Sequence, residues 1–102
     1  MYKIITTTIR PDQSQPFFVL KDNLIEDPNA MGMLKNSSGF VDHEYVISED
    51  GLTMNRSTTW QSEDDYYEFL FRWLDQRPNY IVDFSAYNAE HNHIHIIDYK
   101  NI

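Results

Sequence analysis

From Phe40 to Trp60 the chain reads FVDHEYVISEDGLTMNRSTTW, two runs of alternating residue character on either side of Asp50-Gly51. Asp-Gly is a strong signal for a two-residue hairpin turn, because a type I′ turn needs positive φ at both central positions. With Asp50 and Gly51 as the loop, Glu49 faces Leu52. The pairs that follow are Ile47 with Met54, Tyr45 with Arg56, His43 with Thr58 and Val41 with Trp60. This register gathers Val41, His43, Tyr45, Ile47, Leu52, Met54, Arg56, Thr58 and Trp60 on one face and leaves the other polar apart from Phe40 and Val46. A slip of one residue would set an apolar face against a polar one, so the pattern itself selects the register.

The flanking segments read as alternating helices and strands. Tyr2 to Arg10 is a β-branched run ended by Arg10-Pro11, which predicts the first strand. Pro16 suits the first turn of a helix, and Phe17, Leu20 and Leu24, with Phe18 and Ile25 beside them, recur at helical spacing until Asp27-Pro28. From Pro28 to Gly39, PNAMGMLKNSSG predicts a loop with at most one helical turn around Met31 to Lys35. After the hairpin, Ser62 followed by Asp65 resembles a capping box and opens a helix whose apolar arc is wide, with Tyr66, Phe69, Leu70 and Trp73 in one stripe and Tyr67, Phe71 and Leu74 in another. Glu68 and Arg72 are spaced for an i,i+4 pair on it. Pro78 breaks that helix, a third helical piece runs from Tyr80 to about Glu90, and His93 to Tyr99 alternates as the last strand.

Composition places these elements in one folded domain spanning residues 1–102. Apolar residues make up 41% and aromatics 15%, enough bulky side chains to offset chain entropy despite a mean hydropathy of -0.57. Sixteen acidic against eight basic residues give a net charge of -8, which repels nucleic-acid phosphate and anionic lipid. With no cysteine, disulfides and thiolate chemistry are excluded. The start, MYKIITTTIR, reads as neither a signal peptide nor a membrane span, and the expectation is a soluble cytoplasmic protein.

Strand, helix, hairpin, helices and strand in that order predict an α+β fold, a ferredoxin-like β-α-β-β-α-β unit with helices on one face of an antiparallel sheet. The bare sheet face then needs cover, and a second copy packed sheet to sheet is the simplest source, which predicts a homodimer. The element order, the Asp-Gly hairpin ending in Thr59-Trp60, the Ser62-Glu63 helix start and the Tyr87-Asn88-Ala89-Glu90-His91 stretch resemble the dimeric α+β barrel superfamily, in particular its antibiotic-biosynthesis-monooxygenase-like members. The Met31 to Ser38 segment departs from the simplest form of that pattern. The resemblance implies a dimeric barrel but not one activity, since such proteins include cofactor-free oxygenases, haem-degrading enzymes, small isomerases and proteins without known activity.

Two groups of residues carry candidate chemistry. On the hairpin, His43, Tyr45, Arg56, Thr58 and Trp60 share a face that could line a pocket between sheet and helices. There His43 would serve as a base, Tyr45 as a donor and Arg56 as the anchor for a small apolar or anionic ligand. Ordinary packing explains the same residues, with Arg56 snorkelling to the rim. In the last strand, His91, His93 and His95 alternate. Their spacing suits two metal ligands better than three, which leaves His93 and His95 as weak candidates. Phosphate loops, nucleophile elbows and HExxH are missing, so no cofactor is implied. A binding or structural module is favoured, with a monooxygenase-like or haem-binding enzyme as the alternative.

Overall fold

The computed structural model describes residues 1–21 and 27–102. Its elements are β1 (Tyr2–Ile9), α1 (Pro28–Lys35), β2 (Phe40–Ile47), β3 (Thr53–Trp60), α2 (Glu63–Gln76), α3 (Tyr80–Glu90) and β4 (Ile94–Asn101). The order β-α-β-β-α-α-β carries one helix more than a six-element β-α-β-β-α-β unit. The four strands form one sheet in the order β2-β3-β1-β4. Every neighbouring pair is antiparallel, which leaves β2 and β4 as the edges. The helices lie over one face, where residues of α1, α2 and α3 meet residues of β1, β3 and β4. Among the described residues no helix is long and apolar enough to cross a membrane.

The hairpin pairs Tyr45 with Arg56, His43 with Thr58 and Ile47 with Met54, as its alternation dictates. Its far end differs: Phe40, not Val41, faces Trp60, because an irregularity between Phe40 and Asp42 inserts Val41 as an extra residue. The turn differs as well. Only Gly51 has positive φ, at 73°, and Gly51 N–H donates to Ser48 O at 2.9 Å, so the loop is built on residues 48–51 and is not type I′. Asp50 Oδ1 accepts from Ser48 Oγ at 2.6 Å and from Leu52 N at 3.0 Å, and this local bonding holds Asp50 out of the left-handed region. Because the longer loop is still centred on residues 50 and 51, the register beyond it is unchanged.

Asp27-Pro28, expected to end a helix, begins one. Pro28 occupies the first turn of α1, and Asp27 Oδ1 accepts from Asn29 N at 3.0 Å as the N-cap. The predicted loop from Pro28 is therefore helical through Lys35. The helix expected from Pro16 is a short 3-10 turn over residues 18–21 in its described part, and the remainder of that expectation, with Leu24 and Ile25, lies outside the described residues. At α2, Ser62 Oγ accepts from Asp65 N at 3.2 Å. Asp65 is too short to reach back to the cap N–H and instead accepts from the same hydroxyl at 2.9 Å. Arg72 does not turn to Glu68 but donates to Ser37 Oγ at 3.1 Å, tying α2 to the end of α1. Gly39, just before β2, has φ of 77°, and a Cβ there would collide with the Asp65 side chain.

The core falls into two clusters under the helices. One contains Tyr2, Ile4, Leu34 and Trp60, with Phe40, Tyr66 and Phe69 packed around them. The other contains Phe17, Val19 and Met54, with Leu20 and Phe84. Among the described residues no helix lies over the opposite sheet face. Alternation places Ile5, Ile9, Val46, Ile94 and Ile96 there, and Val46, Ile94 and Ile96 are 64%, 58% and 53% exposed.

Candidate functional site

Strand register sets the floor of the helix-covered face. Thr58, Ile4 and Tyr99 form one row across β3, β1 and β4; Arg56, Thr6 and Ile97 form the next; Met54, Thr8 and His95 form the third. The first row belongs to the Trp60 cluster and the third adjoins the Phe17 cluster. The middle row sets the short hydroxyl side chain of Thr6 and the charged one of Arg56 beside Ile97, and residues of all three rows face an open space. A cavity of about 360 Å³ lies there, roofed by Met31, Tyr66, Phe69, Trp73, Tyr80 and Phe84. Its size falls within the range of small-molecule pockets, roughly 300–1,000 Å³, and its wall is mainly apolar with a few polar groups.

Arg56 is the charged group of this wall. Its Nε donates to Nε2 of His43 at 3.0 Å, so His43 is a neutral acceptor standing behind the guanidinium. Burial first, and the neighbouring Arg56 charge second, pull the His43 pKa down to about 4. Tyr80 and Tyr66 are the phenols whose fields act on Arg56. Burial raises the Tyr80 pKa, and it pushes that of Tyr66 up to about 12, so both phenols are neutral at neutral pH. Burial likewise lowers the pKa of Arg56, although a guanidinium stays protonated in proteins. At the third row, His95 Nδ1 lies 2.9 Å from Thr8 Oγ1, under the edge of the Phe84 ring, and burial lowers its pKa.

Of the hairpin residues singled out from sequence, Arg56 and Thr58 line the cavity. His43 is behind Arg56 and acts on the cavity only through it. Tyr45 sits on the edge strand opposite Arg56 and is 37% exposed. Trp60 is fully buried in the packed cluster, where its Nε1 donates to Thr58 Oγ1 at 3.0 Å. His93 packs against Phe17 and Tyr87, and His95 lies beside Thr8. Among the described residues no group of three metal-ligating side chains is assembled.

Sequence reasoning missed Thr6, Tyr66, Tyr80 and His95 as cavity residues. For Thr6 a signal existed, since Thr6 and Thr8 fall on the same face as Tyr2 and Ile4, the one that becomes buried. For Tyr66 and Tyr80 none did, because helical spacing marks an apolar face without saying which of its members stop short of the sheet. Comparison with known proteins finds no family model and no curated protein that matches the chain.

Proposed function

We propose that this chain is a ferredoxin-like module of the dimeric α+β barrel type that binds a small apolar molecule between its sheet and its helices. The observation that carries the reading is the open cavity above Arg56, Thr6 and Ile97, flanked at both ends by filled core. Crossover connections support the fold assignment: β1 pairs with β3 and β4, while β2 lies outside β3. Dimerisation through the bare sheet face is supported by its exposed isoleucines and by its charges. Asp42, Thr59, Lys3 and Lys100 form a single row from the β2 edge to the β4 edge. A two-fold axis parallel to the strands lays the β2 edge of one copy over the β4 edge of the other, which brings Asp42 toward Lys100 and Val46 toward Ile96.

Binding is tested with N-phenyl-1-naphthylamine, a neutral fluorescent probe, read together with Trp73 emission. Saturable binding to the wild-type chain that is lost when Thr6→Trp fills the cavity supports the reading; absence of saturable binding overturns it. Sedimentation at micromolar concentration tests the dimer. A dimer that Ile96→Lys dissociates is expected, and a wild-type monomer removes the barrel from the proposal while leaving the cavity.

A further inference from the structure

The charge of Arg56 has no opposite charge within the described chain. The ion pairs among the described residues join Arg77 to Asp27 and Lys100 to Asp98, and no carboxylate is among the groups acting on Arg56. Its hydrogen-bond acceptor is a neutral imidazole, and the phenols near it are neutral as well. The bond it donates to His43 satisfies one of its N–H groups but does not offset the charge. A partly buried cation with no anion beside it has lost hydration without gaining a counter-charge, and the open side of this guanidinium is the cavity.

We infer that the cavity takes an apolar monocarboxylate, whose carboxylate lies against the remaining N–H groups of Arg56 and whose hydrocarbon body fills the space beside Phe69, Trp73 and Phe84. The inference rests on the reading of the cavity as a binding site and adds the chemical class of the ligand. A carboxylate matches the planar guanidinium fork, and its single charge matches a single cation. The phenols of Tyr66 and Tyr80 are protonated and so remain donors to an anion rather than repelling it. A dianionic phosphate would bring a second charge that nothing in the wall offsets. His43 takes no proton from the ligand in this arrangement; with its Nε2 accepting from Arg56 Nε, it orients the guanidinium and is a positioning residue.

The test is calorimetric titration of the wild-type chain with phenylbutyrate, phenylbutanol, octanoate, octanol and octyl phosphate. The acids are expected to bind about tenfold or more tightly than their alcohols, and more tightly than the phosphate. In Arg56→Met the ratio of acid to alcohol affinity is expected to fall to about one, and in Arg56→Lys to lie between, since the charge survives without the fork. The two skeletons separate an aromatic from an aliphatic body within the same class. Alcohols that bind wild type as tightly as acids overturn the inference and leave the cavity reading intact. A phosphate that binds tightest, or an acid preference that survives Arg56→Met, also overturns it. If neither acids nor alcohols bind, both readings fall. Should Arg56→Met fail to fold, the acid-to-alcohol ratio of the wild type decides alone.

Discussion

At Trp60 the space between sheet and helices is full; further back along the same strand, at Arg56, it is open. Both side chains point toward the same helix layer. Trp60 is enclosed by Phe40, Tyr66 and Phe69 with ring centroids 5.7, 6.0 and 5.3 Å away, and its one polar atom is satisfied by Thr58. Arg56 has Thr6 beside it on the next strand, phenols above it, and no side chain long and apolar enough to close the gap. The difference shows how a small domain divides its work. One end of the helix layer is held by aromatic packing, which lets the middle remain polar and unfilled without collapse of the sheet–helix spacing.

The sharpest way to break this division is to empty the packed end. Trp60→Ala removes the largest fully buried side chain, and a buried Trp or Phe cut to Ala costs about 3–5 kcal/mol. Against a total stability of about 5–15 kcal/mol for a domain, that leaves little or nothing. Urea denaturation followed by circular dichroism is expected to show a midpoint far below that of the wild type. A loss under about 1 kcal/mol would mean that the Trp60 end does not hold the layers apart.

Acid is expected to act on the other region, with a smaller effect. Burial depresses the pKa of His43 to about 4, and burial also lowers His93 and His95. Above about pH 4 His43 is neutral when folded and takes up a proton on unfolding, and the shifts of His93 and His95 have the same sign, so the unfolded state binds more protons between about pH 4 and 6.5. The stabilisation is fully present above about pH 6.5 and is lost as pH falls toward about 4. His43 is only half-buried, so after allowance for screening its share is about 1–2 kcal/mol. Urea midpoints measured at steps down from neutral pH are expected to fall through this window, and His43→Gln to flatten the fall. A wild-type midpoint constant across the window would contradict the neutral state of His43 beside Arg56. Asp12 and Asp50, exposed carboxylates held below their usual range by hydrogen bonds, act only at still lower pH.

The packed end was largely legible in the sequence and the open middle only in part. Alternation around Asp50-Gly51 specifies which hairpin residues share a face, and shared faces survive even though the turn is built differently. Helical spacing places Tyr66, Phe69 and Trp73 toward the sheet. What spacing does not carry is depth. Whether Arg56 snorkels out or stays in depends on β3 being an interior strand with β1 and β2 on either side of it, which is a property of topology. Asp27-Pro28 misled for a related reason: Pro ends one helix and begins another with the same dipeptide, and only the Asp27 carboxylate, accepting from Asn29 N as a cap, distinguishes the two. Val41 escaped the pairing because a bulge leaves no trace in a pattern of apolar and polar residues.

The smallest change in stability is expected at the residue with the most conspicuous chemistry. Arg56→Met keeps an unbranched stem of similar reach and removes a partly buried charge that no carboxylate in the described chain offsets. Replacing buried ionic groups by apolar residues of similar volume is often neutral or stabilising, because the desolvation cost disappears with the charge. Against this, His43 Nε2 loses its donor, but the ring is half-buried and water can replace that bond. The two effects offset, and the unfolding free energy from urea denaturation is expected to change by less than about 1 kcal/mol in either direction. A loss as large as that of Trp60→Ala would make Arg56 part of the scaffold, its hydrogen bond to His43 joining β3 to the edge strand. A near-zero change would place it where the packing already does, in a gap that the fold holds open and does not depend on.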